Sequence, residues 1–181
     1  SLKSVVIPSK VKTIGYAAFS GCSGLTSFEI NSGVLEKTGS FIFYGCKNLK
    51  EVKLNGALKK IPKNMFADAS YLEKVIIPKS VTSIDSMSFC ECNSLKSIVI
   101  PENVTYIGYS AFAGCAQLKS VVVPAKVNEI KWCAFEDCTA LTSVTVKNKN
   151  VKFGVEVFRN DNNLTIKCYK NSTAHKYALD N

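Results

Sequence analysis

Eight cysteines are the residues of this chain best suited to redox or metal chemistry, and five of them share one position in a repeating pattern. These five are Cys22, Cys46, Cys92, Cys115 and Cys138. We expect buried free thiols, whose S–H groups act as weak donors to turn carbonyls. A disulfide framework is the alternative, but side chains stacked in a column point in parallel. Three consecutive copies also cannot all pair among themselves.

The remaining candidates for metal binding or catalysis are isolated. Cys90 and Cys92 form a C-x-C pair, whereas structural zinc sites usually have C-x-x-C pairs, often with histidine. The only histidine, His175, lies near the C-terminus, and a Ser-His-Asp or Cys-His site would have to use it. Nucleophile-elbow, zinc-protease and phosphate-loop motifs are missing from the sequence. The sequence therefore predicts no catalytic residue, no metal site and no cofactor.

Three aromatic residues offer a different kind of chemistry, the stacking of rings on sugars. Tyr16, Tyr109 and Trp132 occupy equivalent positions of the repeat next to a turn. A carbohydrate-binding module that uses this edge is our alternative function. Packing of each ring over the neighbouring turn is the other interpretation of this column, and the one we prefer.

Composition narrows the class of protein further. The 181 residues carry a net charge of +9, yet Arg159 is the only arginine. Specific nucleic-acid readers rely on the bidentate guanidinium, so we expect a solvated lysine-rich surface and no nucleic-acid partner. The chain has no run of about 18 apolar residues, so we expect no insertion into a membrane. It opens inside a repeat without an initiator methionine, which suggests a fragment whose signal peptide and anchor lie elsewhere.

A period of 23 or 24 residues positions nearly all of these side chains. Residues 1–163 contain seven units, and residues 164–181 form a C-terminal cap. The units start at Leu2, Leu25, Leu49, Leu72, Leu95, Leu118 and Leu141.

Each unit predicts a strand, a turn and a buried phenylalanine. Positions one, four and six are apolar, which suits a short strand that faces a core, and proline often ends it. One phenylalanine per unit should stack into a column that fixes the register of successive turns. Gly15, Gly39, Gly108 and Gly154 are expected to supply positive φ angles in the turn.

Stacked units give a repeat solenoid that is mainly β, with short turns or 3-10 segments and a right-handed coil. Seven turns should extend about 34 Å. Asn171-Ser172-Thr173 should begin a short capping helix at the C-terminus. No polar cap precedes Leu2, so the sequence predicts an exposed apolar edge there, with either end-to-end self-association through it or an upstream set of repeats in the native protein.

The unit L-x-S-V-x-I-P-x-x-V-x-x-I-G-x-x-A-F-x-G-C resembles the BspA-like leucine-rich repeat family of bacterial cell-surface proteins. The match is most specific over Leu95 to Cys115 and weaker where Asn55, Ala69, Lys147 and Asp161 replace consensus residues. The resemblance implies a leucine-rich repeat fold, a secreted or surface-anchored protein, and adhesion to host proteins or other cells.

The predicted function is therefore a non-catalytic interaction scaffold. In each strand, positions three and five point away from the core, because positions one, four and six point in. An aliphatic stripe flanked by small serines on this face is typical of protein contacts, although strands also favour β-branched residues for their own sake. The candidate protein-binding residues are Lys53, Lys74, Ile76, Ser97, Val99, Ser120 and Val122.

Overall fold

The computed structural model describes residues 2–31, 35, 37–55 and 58–181 of the chain. Within these residues the chain forms a β-solenoid of about seven turns that ends in one short helix, which confirms the predicted fold class. Each turn pairs with its neighbours in parallel, so that residues 23 or 24 apart in sequence lie side by side.

The longer strands start two residues after the first leucine of most units, and they form two sheets. The first sheet contains β1 (Ser4–Ile7), β3 (Ser27–Ile30), β5 (Glu51–Leu54) and β7 (Lys74–Ile76). The second contains β10 (Ser120–Val123), β12 (Ser143–Val146) and β14 (Thr165–Lys167).

The two-residue strands lie on another side of the coil and also form two sheets. One pairs β2 (Thr13–Ile14) with β4 (Lys37–Thr38). The other contains β6 (Lys60–Ile61), β8 (Ser83–Ile84), β9 (Tyr106–Ile107), β11 (Glu129–Ile130) and β13 (Lys152–Phe153).

Alternating apolar side chains explain why the longer strands form. In β10, Val121 and Val123 are buried while Ser120 and Val122 are exposed. Nearly all predicted inward positions of the interior turns are buried, although Ile77 is only partly buried, and in the first turn Leu2 is exposed. A strand needs neighbours on both sides before its inner face is fully buried, so the edge strands β1 and β14 are less buried than β3 and β12, which have a strand on each side.

One unit departs from the predicted strand pattern. Residues 97–100 keep the alternation, with Ile98 and Ile100 buried and Val99 exposed, but they belong to neither sheet. In other units the residue after the strand donates its N–H to the preceding turn, as Lys147 does to Val123. In three successive units the residue after the strand segment is instead a proline. These are Pro78, Pro101 and Pro124, which have no N–H to donate. The gap in the ladder lies among these prolines.

The phenylalanine column forms the centre of the core, as predicted. Phe43, Phe66, Phe89, Phe112 and Phe135 are fully buried. Ring centroids along the column lie 5.1 Å apart at its centre, between Phe66 and Phe135. The rings are nearly parallel, because the spacing between stacked turns brings identical side chains into register.

The prediction that the glycine column supplies positive φ is wrong. A Cβ placed on Gly108 would lie 2.5 Å from the backbone N of Ser86, and one on Gly154 would lie 2.5 Å from that of Trp132. Glycine is needed there because the backbones of successive turns approach too closely for any side chain.

Left-handed residues instead lie two positions before and two after each phenylalanine. Ser110 and Cys133, two residues before their phenylalanines, have φ angles of 48° and 54°. Their N–H groups donate to Trp132 and Val155 of the following turn, at 3.0 and 3.2 Å. The hydrogen bond between turns offsets a conformation that L-residues with a side chain rarely adopt.

The C-terminal helix α1 (Thr173–Asp180) covers part of the last turn. Ser172 is its N-cap and accepts a hydrogen bond from the His175 N–H at 3.1 Å, as the sequence predicts. Tyr177 stacks on Phe153 at 4.8 Å and accepts a hydrogen bond from the Val157 N–H. The only helix of the described residues has eight residues, and none there is long and apolar enough to cross a membrane.

Candidate functional site

The outward side chains of the longer strands form a surface that we call the strand face. Its two rows are positions three and five of each unit, and the strand register aligns them as the repeat predicts. Glu51 lies opposite Lys74, and Lys53 lies opposite Ile76. In the second sheet Ser120 lies opposite Ser143.

The part of the strand face around β5 and β7 is charged. The Lys74 Nζ lies 3.4 Å from a carboxylate oxygen of Glu51 on this face, and beside it, at position two of their units, the Lys96 Nζ lies 3.6 Å from one of Glu73. All four side chains are exposed by more than 40%. Such pairs contribute about 0–1 kcal/mol each, so they set the charge pattern rather than the stability of this region.

An aliphatic stripe follows, made of Ile76, Val99 and Val122. Val99 is 80% exposed, the largest fraction among the described large hydrophobic side chains, while Ile76 and Val122 are exposed by 43% and 45%. Ser97 and Ser120 lie beside the stripe and are also exposed. Val99 belongs to residues 97–100, which form no strand in either of the two sheets of longer strands.

The aromatic edge is only partly a single site. Tyr109 and Trp132 come from adjacent turns and line one groove of about 450 Å³. Tyr16 lies four turns from Tyr109, and its ring packs against Phe41 at a centroid distance of 5.4 Å. The equivalent residues of the turns between them are Ser40, Lys63 and Ser86, so no continuous aromatic row connects the two.

The sequence analysis missed the polar residues of this groove, which come from the short strands. Tyr106, Glu129 and Lys152 are the outward residues of β9, β11 and β13, and they line the groove with Lys131. The Lys131 Nζ lies 2.7 Å from a carboxylate oxygen of Glu129, and this hydrogen bond raises the pKa of Lys131. The sequence does mark these residues, because the outward residue of each two-residue strand comes directly before its isoleucine or phenylalanine.

Four thiols of the cysteine column are buried and donate to the preceding turn, namely Cys46, Cys92, Cys115 and Cys138, whereas Cys22 in the first turn is only partly buried, unlike the prediction. Cys92 and Cys115 each donate from Sγ to the carbonyl of the phenylalanine 26 residues earlier, at 3.3 Å, and Cys138 does so at 3.2 Å. Burial raises the pKa of Cys92 and Cys115. These thiols therefore remain neutral and act as small core residues with one weak hydrogen bond.

Asp161 takes the place of the cysteine in the last full unit. It is 7% exposed, and among the described residues neither carboxylate oxygen has a hydrogen-bond partner. Burial, reinforced by the negative charge of Asp137, raises the pKa of Asp161 to about 7. The substitution thus places an ionisable group where the other turns have an apolar one.

The single histidine has a structural role. The His175 Nδ1 accepts a hydrogen bond from the Asn171 N–H at 3.0 Å, at the start of α1. In the part of the chain that the structure describes, no three histidine, cysteine, aspartate or glutamate side chains gather as metal ligands would.

Comparison with known proteins identifies the family. The model of the BspA-type leucine-rich repeat region matches residues 1–115 and 82–181, with six copies of the repeat. The match extends over the whole chain, and the chain therefore belongs to the BspA-type leucine-rich repeat family. No curated protein sequence matches it.

Solved structures show the same fold. A leucine-rich cell surface protein from Faecalibacterium prausnitzii is 31% identical, with a TM-score of 0.82 over 95% of this chain. The chain spans 48% of the length of that protein. A leucine-rich repeat protein from Bacteroides ovatus is 21% identical, with a TM-score of 0.64. The aligned region covers 94% of this chain and 70% of the Bacteroides ovatus chain. One from T. pallidum is 23% identical, with a TM-score of 0.62 and coverages of 98% and 81%.

Proposed function

We propose that this protein is a non-catalytic scaffold that binds an extracellular protein through the strand face. The observation that carries the proposal is the stripe of Ile76, Val99 and Val122, which leaves three β-branched side chains of adjacent turns in water. Exposed apolar patches with a polar rim are typical of protein contacts.

The surroundings of the stripe support the same function. Serines leave the aliphatic groups accessible, and the charged side chains of Lys53, Lys74 and Glu51 border it on one side. An apolar centre with a charged border is the usual division of a protein interface, in which the centre supplies affinity and the border supplies orientation.

A double substitution tests this proposal. Val99→Lys with Val122→Lys should abolish capture of purified host extracellular-matrix proteins that bind the unmodified chain on a sensor surface. Thermal stability should change little, because Val99 is 80% exposed and Val122 occupies an outward, 45% exposed position of β10. Val6→Lys is the matched control, since Val6 occupies the same row in the first turn and is 58% exposed.

Retained binding by the double variant, with loss in the control, would place the interface elsewhere. Equal loss in both would show a general charge effect instead of a specific contact.

We also propose that the protein acts outside the cell, either secreted or attached to the surface. The Faecalibacterium prausnitzii protein that shares its fold is described as a cell surface protein. Antibody labelling of intact cells that express the full-length gene should detect the repeat region. Labelling only after permeabilisation would contradict this proposal.

The first turn is a candidate for end-to-end association. Leu2 is 53% exposed, and Val5, Val11 and Phe19 are only partly buried, because no described turn lies beyond them. Sedimentation should show a concentration-dependent dimer that Leu2→Lys weakens. A chain that stays monomeric at millimolar concentration would rule this association out.

A further inference from the structure

We propose that the groove between Tyr109 and Trp132 is a binding site for an acidic oligosaccharide. We call it the aromatic groove, and its remaining lining comes from Tyr106, Glu129, Ile130, Lys131, Lys152, Phe153 and Gly154. The site goes beyond the proposed protein contact, because it lies along the two-residue strands and not on the strand face.

The groove has an aromatic side and a polar side. Tyr109 and Trp132 follow the second strands of adjacent turns and are exposed by 41% and 54%. Glu129 comes from the outward position of β11, in the same turn as Trp132, and Lys152 comes from the outward position of β13, one turn further on. A sugar ring has the matching division, since its C–H face packs on aromatic rings while its hydroxyl groups need hydrogen-bond partners.

One part of the groove lining has no side chain. Gly154 lies there beside Lys131 and Phe153, and a Cβ on it would lie 2.5 Å from the backbone N of Trp132 in the preceding turn. Tyr109, Trp132 and Val155 are one turn apart, so the edge extends about 10 Å, the length of about two pyranose rings.

The charge of the groove indicates which class of ligand fits it. Lys131 and Lys152 face a single carboxylate, Glu129, in a chain whose net charge is +9. A cationic peptide would be repelled, and a purely apolar ligand would leave the charged groups without compensation. A sugar that carries a carboxylate or a sulfate satisfies both the rings and the ammonium groups.

The chain carries its own reporter for this site. Trp132 is the only tryptophan, so any change in tryptophan fluorescence on titration comes from the groove. We expect trigalacturonate and a sulfated chondroitin tetrasaccharide, used as separate probes, to shift the emission of Trp132 in a saturable manner. Cellotriose, a neutral probe, should bind at least about tenfold more weakly.

Two variants and a matched control complete the experiment. Tyr109→Ala should weaken binding of the acidic probes by about tenfold or more while the thermal midpoint stays unchanged. Lys152→Gln should reduce the preference for acidic over neutral probes. Tyr16→Ala is the control, because Tyr16 occupies the same repeat position but lies in another part of the solenoid.

Each outcome decides the proposal. Response to either acidic probe, lost in Tyr109→Ala and kept in Tyr16→Ala, supports it, and the probe that binds tells carboxylate from sulfate. Equal affinity for cellotriose overturns the acidic preference, and no saturable response to any probe overturns the site. Because Val99→Lys with Val122→Lys should leave sugar binding intact, failure of this proposal is distinct from failure of the protein interface.

Discussion

The interior turns and the end turns have the same sequence pattern but differ in how completely their apolar side chains are buried. Phe112 lies 5.1 Å from the phenylalanine rings on both sides and is fully buried. Phe19 has a stacked ring only on the side of Phe43, at 5.8 Å, and remains partly exposed. A residue of a solenoid is therefore stabilised by the turns next to it as well as by its own unit.

The glycine column shows the same difference. A Cβ on Gly108 would meet the backbone of the preceding turn at 2.5 Å, whereas one on Gly15 in the first turn would meet nothing within 4 Å. A preceding turn is therefore necessary for the close approach, but it does not impose glycine in every turn, since Pro62, Asp85 and Lys131 hold the equivalent position in other interior turns. Substitutions at matched positions of interior and end turns can test this difference.

The largest expected effect is at the phenylalanine column. Phe112→Ala should lower the free energy of unfolding by about 3–5 kcal/mol, because it removes a buried ring and leaves a cavity. Phe19→Ala should lower it by roughly half as much, since its ring is already partly in water. Urea unfolding followed by circular dichroism measures both. Equal losses would show that the ends are as well packed as the interior.

The next effect is at the glycine column. Gly108→Ala should destabilise the protein by about 1–3 kcal/mol, because the added Cβ forces two backbones apart. Gly15→Ala should be neutral or raise stability by up to about 1 kcal/mol, since it restricts the unfolded chain and meets no atom. A thermal midpoint that falls equally in both variants would contradict the close-approach explanation.

A third effect depends on pH and compares Asp161 with the cysteines of the interior. The folded pKa of Asp161, about 7, exceeds its ordinary value of 3.8, so its protonated form favours folding. That contribution is fully present below about pH 4 and is lost as the pH rises through about 7.

Asp161→Cys, which restores the column, should therefore raise stability by about 1–3 kcal/mol at pH 8 and by less at pH 5. Asp161→Asn should show the same trend with pH, because it removes the charge and keeps the shape. Unfolding free energies that differ from the unmodified chain by the same amount at both pH values would show that ionisation plays no part.

The smallest effect concerns the thiols, and it is measured as their rate of reaction with a thiol reagent instead of as a change in stability. Cys92 and Cys115 should react with a thiol reagent only as the protein unfolds, because they are buried and neutral. Cys22 and Cys168, at the two ends, are partly exposed and should react first. Mass spectrometry of the labelled peptides over time identifies the order. Early modification of Cys115 would contradict a closed interior.

Several features of the fold follow from the period of the sequence. The phenylalanine ring column and the thiols that donate to turn carbonyls are where the repeat predicts them, because identical side chains of stacked turns must lie side by side. The Ser172 cap lies outside the repeat and follows from the local sequence Asn171-Ser172-Thr173. The candidate sites were harder to predict, since their neighbours come from different positions of the unit.

The sequence by itself determined which residues repeat and which face of each strand is apolar, and that was enough for the solenoid and its outward rows. Only the tertiary structure decided what lies between turns. It showed that Gly108 is needed for close approach, that Tyr109 and Trp132 line one groove without Tyr16, and that Glu129 and Lys152 complete that groove. The physical reason is that these contacts depend on the distance between backbones about 23 residues apart, which stacking sets and no local pattern encodes.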